Sequence, residues 1–250
     1  MSLFDLKNVS FAYGRGRNVL DGVDLSIKSS RNLGIVGESG SGKTTILRLL
    51  LGLARPTSGE ITFKDKPLDL GDRSLLRDFR RAVQAVFQDP YSSLDPRQKV
   101  ADIIAEPLRS LKVDTNIDTA VSEALASVDL PRDAASRYPH EFSGGQRQRI
   151  AIARAIVSQP ELVMADEVVS ALDLTTRIRI VDLLKTLSEK TTMVLVSHDI
   201  GFVALLCQDL VILEKGRIVE QGTAGDILSA PKHPYTRRLL ESTPRLPDFA

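Results

Sequence analysis

A glycine-rich segment near the start of the chain has the residue types and spacing of a phosphate-binding loop. It reads Gly37-Glu38-Ser39-Gly40-Ser41-Gly42-Lys43-Thr44 and fits the pattern G-x-x-x-x-G-K-[ST] in full. Glycines allow a tight turn whose backbone N–H groups face an anion, and the following helix N-terminus adds a favourable dipole. Lys43 is expected to contact the β- and γ-phosphates, and the Thr44 hydroxyl to ligate Mg²⁺. The segment predicts binding of a nucleoside triphosphate.

A glycine- and serine-rich surface turn could fit this pattern by chance, so the flanking sequence matters. The run Leu33-Gly34-Ile35-Val36 predicts a short buried strand before the segment. The residues after it predict a helix that is buried nearly all round, with Ile46, Leu47, Leu49, Leu50 and Leu53 as its apolar positions. A strand, a loop and a helix in this order are the context that a phosphate-binding loop requires.

Two adjacent acids end a later apolar run. Asp166 and Glu167 follow Leu162-Val163-Met164-Ala165, which predicts a buried strand. Asp166 at the strand tip can hold Mg²⁺ through its water shell, and Glu167 can polarise an attacking water. The alternative is an ordinary solvated turn, since acids are common where strands end.

A histidine follows a third apolar run. His198 lies in Ser197-His198-Asp199, directly after Met193-Val194-Leu195-Val196. Ligands of α/β folds bind at the carboxyl edge of the parallel sheet, so a polar group delivered there favours a functional interpretation. His198 could contact the γ-phosphate and hold the attacking water in line. The alternative is a structural histidine with satisfied hydrogen bonds.

The pattern along the chain predicts an α/β fold. Residues 4–13 and 22–28 alternate apolar and polar positions, which is typical of half-buried strands. Strands alternating with helices predict a mainly parallel sheet, whereas residues 98–128 have a helical pattern and resemble an insertion. The segments Leu210–Leu213 and Arg217–Glu220 predict a hairpin.

A further motif carries a resemblance to a known family. The segment Phe142-Ser143-Gly144-Gly145-Gln146-Arg147-Gln148-Arg149 resembles the signature of ABC ATPases, usually written LSGGQ. The order of motifs also resembles the full ABC series, from the phosphate loop through Gln88, the signature, Asp166-Glu167 and Ser170-Ala171-Leu172-Asp173 to His198. The resemblance covers roughly residues 4–230. It implies a P-loop NTPase (RecA-like) core with an N-terminal antiparallel β lobe and an inserted α-helical subdomain. The expected division is a core of 1–88 and 158–230, a helical signature subdomain of 89–157 and a tail of 231–250.

The family resemblance implies roles at the matching positions, with ATP and Mg²⁺ as cofactors. Tyr13 would stack on adenine, unless it is only an edge-strand aromatic. Ser143 and Gly145 would bind the γ-phosphate held by an opposite subunit, and Asp173 would lie at the contact between the subunits. The residues expected at the nucleotide are Tyr13, Gly37, Ser39, Gly40, Ser41, Gly42, Lys43, Thr44, Thr45, Asp166, Ser143, Gly144, Gly145 and Gln146. Those expected at the metal are Thr44, Gln88 and Asp166, and those expected in catalysis are Glu167, His198 and Gln88.

Two stretches resemble one branch of the family, the importers of oligopeptides, dipeptides or nickel. They are Val86-Phe87-Gln88-Asp89-Pro90-Tyr91-Ser92-Ser93-Leu94-Asp95-Pro96-Arg97 and Pro231-Lys232-His233-Pro234-Tyr235-Thr236-Arg237-Arg238-Leu239-Leu240-Glu241-Ser242. Two departures stand out: Val168-Val169 replaces the usual Pro-Thr or Pro-Val, and the chain ends soon after the second stretch. Both are reminiscent of nickel-importer subunits.

The same resemblance predicts the partners. They are a second ABC ATPase subunit, with a heteromeric pair favoured over a homodimer, two membrane permeases and, indirectly, an extracytoplasmic solute-binding protein. The expected location is peripheral, on the cytoplasmic face of the inner or plasma membrane. The sequence has no apolar run near the ~18 to 20 residues that span a bilayer.

Composition narrows the alternatives. The 33 basic and 32 acidic residues give a net charge of +1, which argues against a nucleic-acid partner. The single cysteine, Cys207, excludes a disulfide framework and makes an iron–sulfur cluster untenable. A non-transport ABC ATPase is the second hypothesis, but the chain lacks long coiled coils and a second ATPase set. The third hypothesis is a degenerate subunit that binds ATP without hydrolysing it. The presence of all the expected motif residues argues against it: Lys43, Asp166, Glu167 and His198.

Overall fold

The computed structural model describes residues 1–14, 16–170 and 172–242. The strands are β1 (Ser2–Phe11), β2 (Leu20–Lys28), β3 (Leu33–Val36), β4 (Ser58–Phe63), β5 (Lys66–Pro67), β6 (Val83–Val86), β7 (Leu162–Asp166), β8 (Thr192–Ser197), β9 (Asp209–Glu214) and β10 (Arg217–Thr223). The helices are α1 (Lys43–Leu50), α2 (Arg73–Ala82), α3 (Pro90–Ser93), α4 (Val100–Ser110), α5 (Ile117–Ser127), α6 (Gly144–Ile156), α7 (Leu174–Ser188), α8 (Ile200–Ala204), α9 (Ala224–Ser229) and α10 (Pro234–Ser242). The chain divides into two compact units. We call Met1–Gly71 with the part from Thr192 onward the terminal unit, and Asp72–Thr191 the central unit.

An antiparallel sheet in the terminal unit has the strand order β2-β1-β4-β5. In β2, Val23, Leu25 and Ile27 are buried, whereas the residues between them are exposed. Side chains of a strand alternate between the two faces, so this sequence buries one face only. The predicted N-terminal antiparallel lobe is therefore present.

Parallel strands form the second sheet of the terminal unit. β3 is buried at every residue and pairs in parallel with β8 on one side and β9 on the other. β10 returns antiparallel to β9, which confirms the predicted hairpin. Because β3 and β8 run in the same direction, the residues after both strands emerge at one edge of this sheet.

Helix α1 is shorter than its apolar pattern predicted. It ends at Leu50, and Gly52 follows with a φ of 64°, a left-handed conformation that terminates helices. Leu53 then lies outside the helix and is 61% exposed, so its predicted burial was wrong. The buried face of α1 consists of Ile46, Leu47, Leu49 and Leu50 together with Thr45 and Lys43.

The central unit is mainly helical. α4 buries Val100, Ile103, Ile104 and Leu108, the i, i+3, i+4 and i+8 positions of one face, and it packs against α5 and α6. The predicted helical character of residues 98–128 is confirmed by α4 and α5. β6 and β7 form a parallel pair in the same unit.

The predicted domain boundaries at residues 88, 157 and 230 stay a prediction. In the predicted tail, α10 is described as far as Ser242, and residues 243–250 lie outside the described part of the chain. Cys207 is buried in the terminal unit. Among the described residues, none of the helices combines the length and apolar character needed to span a bilayer.

Candidate nucleotide site

The loop between β3 and α1 has a backbone that side chains would obstruct. A Cβ at Gly37 would lie 2.3 Å from the Leu213 carbonyl oxygen, and one at Gly42 would lie 2.7 Å from Leu20 Cδ2. Gly42 also has a φ of 110°, which L-residues with side chains rarely adopt. The glycines of the sequence motif are therefore required by both close approach and conformation.

Helix α1 begins at this loop with features that favour an anion. No side chain of the described residues caps its first turn, and no acid lies in that turn, which suits an anion at this helix start. Lys43 is only 7% exposed, and its Nζ donates hydrogen bonds to the carbonyl oxygens of Gly37 at 2.6 Å and Glu38 at 2.9 Å. The ammonium group is thus held inside the loop.

A buried hydroxyl in the same loop is unsatisfied. Ser41 Oγ has no hydrogen-bond partner among the described residues. The N–H groups of α1, the Lys43 ammonium and this hydroxyl together give the loop several hydrogen-bond donors. This donor set suits phosphate oxygens.

Tyr13 lies just after β1, and its contacts attach it to α1. Its hydroxyl accepts a hydrogen bond from the Arg48 guanidinium at 3.0 Å and lies 3.5 Å from Thr45 Oγ1. These contacts, first with Thr45 and then with Arg48, lower the pKa of Tyr13. The ring meets Phe11 edge-on at 4.8 Å, and the residue is 54% exposed. An aromatic ring is therefore presented to solvent beside the first turn of α1, as stacking on a base requires.

His198 comes to the same sheet edge as the phosphate loop. Val36 and Ser197 are paired in the parallel register of β3 and β8, so Gly37 and His198 each follow a paired residue. His198 is exposed. Asp199 accepts a hydrogen bond from the Phe202 N–H at 3.0 Å and so begins α8. The imidazole is positioned between the end of a buried strand and a capped helix.

In the central unit, the ends of β6 and β7 bring Gln88 and the two acids together. Val86 pairs with Ala165, so Gln88 and Asp166 both emerge at one edge of this parallel pair. Gln88 Nε2 donates to Ser170 Oγ at 3.4 Å, and Ser170 Oγ donates to the Glu167 carbonyl oxygen at 2.9 Å. Gln88 is therefore tied to the turn that carries Glu167. Ala171, which the sequence motif includes, lies outside the described residues.

Glu167 has an unusual backbone. Its φ is 48°, in the left-handed region, where a non-glycine residue costs on the order of 1 kcal/mol or more. Val168 and Val169, which replace the usual proline-containing pair, are buried at 3% and 2% exposure. Two buried valines thus anchor the strained turn and leave the Glu167 carboxylate half-buried. Nothing in the sequence pattern signalled this conformation.

The signature segment begins helix α6. Ser143 Oγ accepts a hydrogen bond from the Gln146 N–H at 3.3 Å, and the Gln146 side chain accepts one from the Ser143 N–H at 3.0 Å. This reciprocal pair is a capping box, and helix α6 starts directly after Ser143. A Cβ at Gly145 would lie 2.3 Å from Thr176 Cγ2, whereas one at Gly144 would meet nothing within 4 Å. Gly145 lets α6 approach α7.

Asp173 caps α7 beside this contact. Its carboxylate accepts hydrogen bonds from the Thr176 hydroxyl at 2.7 Å and the Thr176 N–H at 3.0 Å, and these bonds lower the pKa of Asp173. The signature glycine and Asp173 therefore meet on the same threonine. Sequence reasoning did not single out Thr176.

The family follows from a direct comparison. The family model described as ABC transporter matches residues 20–170. This chain belongs to the ABC transporter family. A second model, described as the oligopeptide/dipeptide transporter C-terminal region, matches residues 219–248 of the ABC subunit.

Curated relatives agree with this assignment. The chain is 43% identical to the oligopeptide transport ATP-binding protein OppF of Lactococcus lactis subsp. lactis over 235 residues, which cover 92% of this chain and 74% of the relative. It is 42% identical to the dipeptide transport ATP-binding protein DppF of Escherichia coli over 248 residues, which cover 97% and 74%.

Solved ABC cassettes have the same fold. The cbiO1 subunit from Clostridium perfringens matches with a TM-score of 0.82 at 26% identity, over 92% of this chain and 91% of that one. The cassette MJ0796, in a dimeric post-hydrolysis state bound to ADP and Pi, matches with a TM-score of 0.79 at 32% identity, over 88% and 98%.

These matches confirm several sequence predictions for the ABC subunit. They are the family, the α/β P-loop NTPase fold and the assignment as an ATP-hydrolysing transporter subunit. The roles of individual residues stay predictions, as does transport of nickel.

Sequence reasoning also missed a residue at the phosphate loop of this ABC ATPase. The Tyr235 hydroxyl accepts a hydrogen bond from the Glu38 N–H at 2.9 Å. In the sequence, Tyr235 belongs to a stretch that only resembled one branch of the family. No periodicity or spacing connects two residues that lie 197 positions apart.

Proposed function

We propose that this ABC subunit drives the uptake of peptides by hydrolysing ATP. The observation that carries the nucleotide part is the phosphate loop, in which a buried Lys43 is held by the carbonyls of Gly37 and Glu38. The cargo is supported by the match of residues 219–248 to the oligopeptide/dipeptide transporter C-terminal region and by the names of the relatives.

The loop and α1 are proposed to hold the phosphates of ATP. The N–H groups of the first turn and Lys43 face the β- and γ-phosphates, while the Tyr13 ring stacks on adenine. Mg²⁺ is proposed to be held by Thr44, Gln88 and Asp166, whose hydroxyl, amide and carboxylate oxygens are the hard donors that this ion prefers. When bound there, the ion would supply positive charge that offsets the charge of the phosphates.

Hydrolysis is proposed to depend on three side chains. The Glu167 carboxylate accepts a proton from the water that attacks the γ-phosphorus, and the bond from that phosphorus to the ADP oxygen breaks. Gln88, held by Ser170, orients the same water. His198 is proposed to donate a hydrogen bond to the γ-phosphate from the carboxyl end of β8.

A second ATPase subunit is proposed to complete each site. Ser143, Gly144, Gly145 and Gln146 form the start of α6, where backbone N–H groups and the helix dipole attract an anion. They are proposed to bind the γ-phosphate held by the partner, with a heteromeric pair favoured. Two permeases and a solute-binding protein would complete the importer, which places the subunit on the cytoplasmic face of the membrane.

The catalytic proposal is tested with purified protein. Mg²⁺-dependent phosphate release is measured for the chain alone and mixed with a candidate sister subunit, beside Glu167→Gln. We expect release to rise more than linearly with subunit concentration and to fall by about 10² to 10⁴-fold in Glu167→Gln. Turnover that is unchanged in Glu167→Gln would contradict the role of Glu167, and ATP binding without turnover in any pairing would indicate a degenerate subunit.

The cargo is tested in cells. The gene is deleted in its source organism, and uptake of a labelled dipeptide, a labelled oligopeptide and nickel is measured. We expect peptide uptake to fall and to return with the wild-type gene but not with Glu167→Gln. A deletion that lowers nickel uptake and leaves peptide uptake intact would overturn the proposed cargo.

A further inference from the structure

The C-terminal helix α10 contacts the phosphate loop through one buried hydroxyl. Tyr235 is the second residue of α10 and is 2% exposed. Its hydroxyl oxygen accepts the hydrogen bond from the Glu38 N–H at 2.9 Å. Burial raises the pKa of Tyr235, so the phenol is neutral at physiological pH. A neutral hydroxyl is a suitable acceptor for a backbone amide.

The accepted hydrogen bond acts on the peptide unit that also holds the lysine. The N–H of Glu38 and the carbonyl of Gly37 belong to one planar peptide. On its other side, that carbonyl accepts the hydrogen bond from Lys43 Nζ at 2.6 Å. A continuous chain of hydrogen bonds therefore runs from Tyr235 through this peptide to Lys43. Such chains polarise each bond in them and fix the orientation of the group in the middle.

A carboxylate anchors the segment that delivers Tyr235. Glu220 in β10 accepts hydrogen bonds from the Lys232 N–H at 2.8 Å, the His233 N–H at 3.0 Å and the Thr236 hydroxyl at 2.5 Å. Burial raises the pKa of Glu220, but these three bonds outweigh burial and the net pKa is lowered. The carboxylate is thus ionised at neutral pH and holds the start of α10 on both sides of Tyr235.

A second contact keeps α10 beside the strand that faces the loop. The Arg238 guanidinium lies 3.6 Å from the Glu214 carboxylate at the end of β9. The preceding residue, Leu213, has the carbonyl that leaves no room for a Cβ at Gly37. The loop peptide of Gly37 and Glu38 is therefore confined by β9, by Lys43 and by Tyr235. A tail that only covered the sheet would not need a hydroxyl directed at this amide.

We propose that Tyr235 is a positioning residue for the phosphate loop. Its hydroxyl orients the peptide between Gly37 and Glu38 so that the carbonyl holds Lys43 ready for a phosphate, and the C-terminal segment thereby sets the affinity for nucleotide. This inference rests on the proposed binding of ATP by the loop. Preorganised groups bind more tightly because less ordering is needed when the ligand arrives.

The test is Tyr235→Phe, which removes only the hydroxyl. Dissociation constants for ATP and ADP are measured by equilibrium titration, and kcat and KM are measured in the presence of Mg²⁺. We expect both dissociation constants and KM to rise about fivefold, the usual effect of one hydrogen bond, with kcat within about twofold of wild type. Exchange of the Glu38 amide proton, followed by NMR, should become faster. Tyr138→Phe is the matched control, because it removes the hydroxyl of a ring that stacks on His140. It should change neither the dissociation constants for nucleotide nor the exchange rate of the Glu38 amide.

The outcomes separate positioning from a structural role. A lower melting temperature with unchanged nucleotide affinity, or a fall in kcat alone, would overturn the inference. If Tyr235→Phe does not fold, Thr236→Val decides, because it loosens the Glu220 anchor and should weaken ATP binding in the same direction. Wild-type protein that binds neither nucleotide would contradict the proposed function. The positioning would then be judged by Glu38 amide exchange, and an exchange rate equal in wild type and Tyr235→Phe would overturn it.

Discussion

Two helix N-termini in this ABC subunit, both of which we propose to bind phosphate, differ in local structure. Helix α1 begins at Gly42 without a side-chain cap from any described residue, and the buried Lys43 ammonium adds donors beside it. Helix α6 begins at Ser143 with a complete capping box made by its own residues. The first helix start thus has no side-chain cap among the described residues, whereas at the second the N–H groups of Ser143 and Gln146 are already bonded.

The two helix starts differ in which hydrogen-bond acceptors the chain itself provides. The first turn of α1 has no side-chain cap among the described residues and no acid, which favours an external anion there. The first turn of α6 has a capping box, so a phosphate bound there, as we propose, would meet N–H groups of Ser143 and Gln146 that already have partners. The contrast suits the roles we propose, in which the first start binds phosphate within one chain and the second contacts a partner chain.

The largest expected effect comes from removing the lysine of the uncapped helix. Lys43→Met should raise the dissociation constant for ATP about 100-fold, because it removes a charge-assisted contact from a buried site. Equilibrium titration with a fluorescent ATP analogue measures the change. Lys190→Met, at an exposed lysine, is the control. An affinity within about threefold of wild type would contradict the contribution of Lys43 to ATP binding.

The next effect tests how closely the capped helix is packed. Gly145→Ala should lower the free energy of unfolding by about 2 kcal/mol, because the new methyl group would overlap Thr176 Cγ2. Thr176→Ser in the same chain deletes that methyl, keeps the hydroxyl bonded to Asp173 and should restore most of the loss. Gly144→Ala has open space and should be tolerated. Urea unfolding measures all of these variants, and equal losses at both glycines would contradict the packing argument.

A serine in each helix start gives a smaller, paired effect. Ser143→Ala should cost about 1 kcal/mol of unfolding free energy, because it removes the cap of α6. Ser41→Ala should cost nothing measurable, because Ser41 Oγ has no partner among the described residues. Ser143→Asn, which can still cap, should recover stability. Equal losses of unfolding free energy at both serines would contradict the difference in capping between the two helix starts.

The smallest effect is a pH dependence at Asp173. Its pKa is lowered in the folded state by the hydrogen bonds from Thr176, so its contribution to stability is full above the unfolded pKa of about 4 and is lost as pH falls through the folded value. Stability differences between wild type and Asp173→Asn should therefore be present at neutral pH and disappear in acid. Chemical unfolding at a series of pH values measures this, and a constant difference down to low pH would contradict it.

The sequence predicted the parts of the site that are local in the chain. The glycine pattern around Lys43 predicts a strand, a loop and a helix, because Gly40 and Gly42 supply the left-handed φ values of 79° and 110° that the turn itself requires. The capping box of Ser143 and Gln146 is equally local, since it spans only four residues. Leu53 was misplaced because periodicity extended the helix past Gly52, although that glycine was itself a stop signal.

Long-range contacts escaped sequence reasoning for a physical reason. The Tyr235 hydroxyl and Glu38 N–H meet only after the parallel sheet has formed, and Gly145 and Thr176 meet only after two helices pack. Neither pair leaves a period or a spacing in the chain. The left-handed backbone of Glu167, which precedes the buried Val168 and Val169, was equally hidden.

The single cysteine has a practical consequence for measuring the movements of this ABC ATPase. Cys207 is buried, and burial raises the pKa of its thiol, which leaves almost no thiolate at neutral pH to react with maleimides. The unmodified chain is therefore expected to react very little with thiol-directed labels. A cysteine introduced on α10 and another on α7 could carry a fluorescent donor and acceptor without first replacing a core residue.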